Sequence, residues 1–110
     1  MTQKIMERIR AVNRRLNQTH GDPRNADRAL WGELAVVTFA DVTGQSKDVQ
    51  SDPETVLGDL LAGLMHWCDS QKTNVSLEES IDFDSALGRA RNHYSEEYEE
   101  ERRPLSGAVE

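Results

Sequence analysis

Disulfides are excluded within this chain, because a single cysteine, Cys68, occurs among its 110 residues. It lies in an apolar stretch, where a reduced and buried thiol is the ordinary state, and such a thiol fits the cytoplasm. Long apolar runs are missing as well. None approaches the roughly 20 residues that a membrane helix needs. The opening MTQKIMERIR lacks the apolar core of an export signal. We find no internal repeat, no H-E-x-x-H pair, no paired cysteines and no glycine-rich phosphate loop. The expectation is therefore a cytoplasmic protein, non-enzymatic rather than enzymatic, with no membrane association and no cofactor.

Basic charge is scarce beyond the first thirty residues. Those thirty hold seven basic and three acidic groups, whereas residues 31–110 hold six basic and seventeen acidic groups. The net charge of −7 thus combines a basic start with a strongly acidic body. An acidic body repels phosphate, which argues against direct nucleic-acid binding. The length suits one domain with a modest core, taken here as residues 1–101 with a tail over 102–110.

Hydrophobic periodicity predicts four helices. Ile5, Ile9, Val12 and Leu16 form one helical stripe over about residues 2–19, and the His20-Gly21-Asp22-Pro23 run then breaks the helix. A second helix is expected from Asn25 or Ala26 to about Val42. Its stripe of Leu30, Leu34 and Val37 is widened by Trp31, Val36 and Phe39, and Thr43-Gly44 ends it. Residues 44–52 read as a loop. Asp52 as N-cap, Pro53 in the first turn and Glu54 at the positive end open a third helix. Val56, Leu57, Leu60, Leu61, Leu64, Met65, Trp67 and Cys68 make it the most apolar of the four. This predicts a central, buried helix with Leu60, Leu61, Leu64 and Trp67 in the core. Ser70–Asn74 reads as a loop, and Ser76 with Glu79 has the spacing of a capping box. A fourth helix from about Asp82 to Glu101 carries the stripe Phe83, Leu87, Ala90, Tyr94 and Tyr98. The fold class expected is all-α, a compact bundle of about four helices. Pairing of the first and fourth helices would bring Arg8, Arg14 and Arg15 near Glu96–Glu101.

Two groups of residues carry resemblances. The run LGDLLAGLMHWCD from Leu57 to Asp69, followed by DFDSALGRARNHY from Asp82 to Tyr94, resembles small uncharacterised proteins of bacteria, phages and plasmids. These tend to show a D-L-L-A-x-L-x-H-W-x-D helix and then a D-F-x-x-A-L-x-R-A-x-x-H-Y helix. The resemblance covers about the last half of the folded chain and implies a bacterial or mobile-element origin, with no activity attached. The shorter run from Val56 to Leu61 resembles the E-L-G-D-L-L helix of MazG-type nucleoside triphosphate pyrophosphohydrolases. That resemblance implies a helical magnesium enzyme. Val56 stands where the family has a metal-binding glutamate, and the earlier helix offers only Glu33 and Asp41 in place of an E-E-x-x-E motif.

Candidate functional residues fall into two sets. Asp59, His66 and Asp69 share one helical face by spacing, and His93 and Glu97 are one turn apart on the fourth helix. Convergence of such faces would suit acid–base or metal chemistry; a packed, hydrogen-bonded pair of histidines is the plainer expectation. Glu96, Glu97, Glu99, Glu100 and Glu101 form an acidic run that would imitate phosphates toward a basic partner, or simply be a solvated helix end that opposes the helix dipole. Trp31 and Trp67 are expected in the core rather than at an interface. The function expected is a protein-interaction module, open to homo-oligomerisation, whose partner is a protein and, if it is an acidic mimic, a basic nucleic-acid-binding one. The alternative is a MazG-like pyrophosphohydrolase.

Overall fold

The structure is a computed structural model that describes residues 2–72 and 81–103. Among these residues there are five helices and no strand, so the chain is all-α as its periodicity predicts. The Ser76–Glu79 spacing and the tail beyond Arg103 lie outside the described residues. The chain divides into two compact units, Met1–Leu60 and Leu61–Glu110.

In the first unit, α1 (Thr2–Thr19) packs on α2 (Asn25–Thr43). The α1 stripe does what its spacing requires: Ile5 and Ile9 are buried, while Val12 and Leu16 are half-buried. From α2, Val37 and Ala40 are buried and Leu30, Leu34 and Phe39 are half-buried. Trp31 is exposed on the outer side of α2, against the expectation of a core position. Its ring lies at the edge of an apolar stripe whose centre is taken by smaller residues. Each fully buried aliphatic side chain contributes about 1.5–3 kcal/mol, so this stripe pair is the main source of stability in the unit.

The turn after α1 departs from expectation in one detail. His20, not Gly21, adopts the left-handed conformation, with φ 54°. The Thr19 hydroxyl donates to the Arg15 carbonyl oxygen at 2.8 Å and accepts from the Gly21 N–H at 3.2 Å, which fixes the exit path. At the end of α2, Gly44 takes φ 76°. The Gln45 N–H donates to the Ala40 carbonyl at 2.7 Å and the Gly44 N–H to that of Asp41 at 3.4 Å, the paired pattern of a Schellman cap.

Residues 44–52 are not wholly loop. A single helical turn, α3 (Asp48–Ser51), forms there. The Asp48 N–H bonds the Gln45 carbonyl at 2.9 Å and the Asp52 N–H bonds that of Asp48 at 2.8 Å. No apolar stripe announces so short an element, because one turn satisfies its own backbone and buries nothing.

The helix α4 (Pro53–Lys72) begins as predicted, with an Asp52 carboxylate oxygen 3.4 Å from the Thr55 N–H. It runs through Ser70 and on to Lys72, where a loop was expected. Its burial contradicts the expectation of a central helix. Val56 has no exposed surface and Cys68 is buried, but Leu60 is only half-buried. Leu57, Leu61, Leu64, Met65 and Trp67 keep between 38% and 52% of their surface exposed. Periodicity identified an apolar face correctly; it could not tell whether the chain supplies a partner for it.

The helix α5 (Phe83–Arg102) is capped by Asp82, which accepts from the Ser85 N–H at 3.1 Å. Its expected stripe is weakly used. Phe83 and Leu87 are half-buried, while Ala90, Tyr94 and Tyr98 are exposed, and no residue of the helix is fully buried.

Candidate functional site

A buried, hydrogen-bonded polar arrangement sits where α1 meets α2, and the sequence did not single it out. Asp27, at the third position of α2, is buried. Its carboxylate accepts from the Arg24 N–H at 2.8 Å and from the Arg15 guanidinium at 2.7 Å. The Arg24 carbonyl in turn accepts from the Asp27 N–H at 2.9 Å. These contacts hold the Asp27 carboxyl below its ordinary pKa. The backbone N–H of Arg24 is the largest cause, burial opposes it, and Arg15 adds to the lowering. An acid at the third helical position, just after a proline turn, is the signal that could have found it. Arg28 also donates to the Asn25 side-chain oxygen at 2.7 Å. This cluster clamps a helix start, with its carboxylate buried and its partners committed to the clamp, which is a structural role.

Arg15 thus takes a partner on α2, and so does Arg8, 3.9 Å from Glu33. Oppositely charged groups close along the chain have been matched first, at lower loop entropy. The Arg8–Glu33 pair is largely solvated and is worth about 0–1 kcal/mol.

Of the polar patch candidates, Asp59 accepts from the Gln45 side-chain amide at 2.9 Å, and Gln45 accepts from the Thr43 hydroxyl. That relay ties α4 to the capped end of α2. The helical rise of about 1.5 Å per residue puts Asp59 and Asp69 about 15 Å apart. His66 and His93 are both exposed. Among the described residues, no group of three or more histidine, cysteine, aspartate or glutamate side chains is placed to hold a metal ion. The carboxylates that the MazG resemblance would recruit, Glu33, Asp41 and Asp59, form no such set; Glu33 and Asp59 have the partners just described.

Asp69 does share a small depression of about 170 Å³ with Met65, Cys68, Asp82, Phe83 and Asp84. Two of its features are committed elsewhere: Asp82 caps α5 and Cys68 is buried. Carboxylates so close together repel any anionic ligand.

The acidic run lies on the last turns of α5. Glu96, Glu99, Glu100 and Glu101 are exposed and Glu97 is half-buried. Glu96, Glu99 and Glu100 line, with Ser95 and Arg103, an open depression of about 380 Å³. Beside the glutamates runs a ladder one turn per rung. Tyr94 and Tyr98 stack with centroids 6.0 Å apart, and the Arg102 guanidinium lies 5.3 Å from the Tyr98 ring centre. The opposition of these glutamates to the helix dipole is partly offset here. Arg102 occupies the last turn, where a cation suits the helix dipole.

Among the described residues, no helix is long and apolar enough to cross a membrane. No protein-family model matches the chain, and no curated protein or solved structure matches it either.

Proposed function

We propose that the protein is a non-enzymatic interaction module of the bacterial cytoplasm, and that the acidic end of α5 imitates nucleic-acid phosphates toward a basic, nucleic-acid-binding partner protein. The observation that carries this reading is charge density. Five glutamates occupy the six residues from Glu96 to Glu101 on a continuous helix. At about 1.5 Å rise per residue they give one negative charge per roughly 1.8 Å. Duplex DNA carries one per about 1.7 Å of axis. Like charges spaced three and four residues apart, such as Glu96 with Glu99 and Glu100, each cost the free helix a few tenths of a kcal/mol. A basic groove would relieve that repulsion and gain affinity and association rate from it.

The test uses the whole chain as bait in a bacterial lysate, beside a variant with Glu96, Glu97, Glu99, Glu100 and Glu101 changed to glutamine. The wild type should capture basic proteins that duplex DNA displaces and that raised salt releases. Equal capture by the glutamine variant, with the same salt dependence, would dismiss the mimic.

A further inference from the structure

We infer, on the basis of the mimic reading, that the tyrosine ladder of α5 is an arginine-reading surface, on which the basic partner seats arginine rather than lysine side chains. Every residue of this surface lies on one helix of the second unit.

Helical spacing groups the rings with two of the glutamates. Tyr94, Tyr98 and Arg102 follow one another at intervals of four, and Glu97 and Glu101 each stand three residues after a tyrosine. Residues three and four apart are neighbours on a helix, with about 5–6 Å between their Cβ atoms. Each tyrosine therefore has a glutamate beside it on the next turn. Glu96 and Glu100, each two residues after a tyrosine, fall on the opposite side at about 100° per residue. Phe83 and Leu87 on the same stripe are half-buried, but Tyr94 is 66% exposed and Tyr98 44% exposed.

A ring face with a carboxylate beside it selects a guanidinium. The planar arginine head stacks on an aromatic face while its N–H fork donates to a carboxylate, whereas a lysine ammonium is a strongly hydrated point charge. The chain itself displays the stacking half of this contact. The Arg102 guanidinium lies 5.3 Å from the Tyr98 ring centre, inside the roughly 6 Å over which a ring attracts a cation. Tyr94, one turn earlier and the more exposed ring, is where the partner's arginine seats. Exposed stacked rings also serve as platforms for nucleobases, but such platforms sit in positively charged grooves. Here the neighbours are glutamates, which repel phosphate.

Short oligo-arginine and oligo-lysine peptides of equal length, titrated calorimetrically into the whole chain at several salt concentrations, separate the rings from the charge. Both should bind the wild type, with a preference for arginine. Tyr94→Leu/Tyr98→Leu should weaken oligo-arginine by about two- to fivefold per ring engaged and leave oligo-lysine affinity and its salt slope at the wild-type values. Tyr94→Phe/Tyr98→Phe keeps both ring faces and should keep the preference. Helical circular dichroism checks that each variant folds. A preference that the leucine variant retains in full, or that the phenylalanine variant loses, overturns the proposal and leaves the mimic standing. So does a wild-type chain that binds oligo-lysine as tightly as oligo-arginine. The glutamine variant of α5 should lose affinity for both peptides. If it binds them as the wild type does, the mimic falls and the proposal with it.

Discussion

Two glycine-to-alanine changes within or beside the same helix should have opposite signs. Gly44 and Gly32 would each gain one methyl group, and in neither case does the new Cβ come within 4 Å of another group. Packing is thereby removed from the comparison, and only the backbone remains. Gly44 sits at φ 76°, in the left-handed region where a Cβ costs roughly 1–2 kcal/mol. The cost cannot be avoided by relaxing φ, because the Gln45 to Ala40 and Gly44 to Asp41 bonds depend on it. Gly32 lies inside α2, where alanine is favoured over glycine by about 0.5–1 kcal/mol. Gly44→Ala should therefore lower stability by about 1 kcal/mol, and Gly32→Ala should raise it by somewhat less. In a domain of 60–100 residues each kcal/mol moves the Tm by about 4–8 °C. Urea and thermal melts followed by far-ultraviolet circular dichroism would resolve both shifts. Equal signs for the two variants, or a neutral Gly44→Ala, would refute the cap as the device that ends α2.

Other perturbations test the remaining contacts. Asp27→Asn should lower stability at neutral pH by more than Glu33→Gln, read from urea midpoints, since it breaks a buried hub rather than a solvated pair. Asp27 has a lowered folded-state pKa. Its contribution is therefore complete above the ordinary carboxylate value near 4 and is lost as pH falls from there through the lowered value. Acid titration of stability should be flatter in that range for Asp27→Asn. His20→Gly should stabilise by about 0.5–1 kcal/mol by relieving the left-handed conformation, checked by a rise in Tm. Val56→Ala should cost about 1–3 kcal/mol, whereas Leu61→Ala should cost under about 1 kcal/mol in dilute, monomeric protein. A reversed order would restore the leucine face to the core.

The helices were legible because their signals are local. The Ile5–Leu16 stripe, the Gly44 stop and the Asp52 cap each act within a turn or two of their own position, and each is where its spacing puts it. The burial of α4 was not legible. A stripe of leucines states that a face avoids water, and the same stripe serves a core or an interface. The α2 partners of Arg8 and Arg15 were not legible for a related reason, because opposite charge gives attraction without direction. Asp27 was overlooked because its importance comes from three donors and acceptors meeting, one of them Arg15 on the preceding helix. The acidic run was evident from composition, and the structure adds that it forms a continuous helix to Arg102.

The clasp between Arg15 and Asp27 also bears on the order of events in folding. Its two partners stand twelve residues apart, and a loop of about ten residues closes in roughly 10–100 ns. The contact is therefore among the earliest that an unfolded chain can sample, and α1 with α2 is a hairpin of low contact order. During synthesis, these helices can pair while the acidic half of the chain is still being made. The basic arginines are then engaged before the fifteen acidic residues that follow α2 arrive to compete for them. Stopped-flow measurements should find that Asp27→Asn slows refolding more than it speeds unfolding, the mark of a contact already present at the barrier.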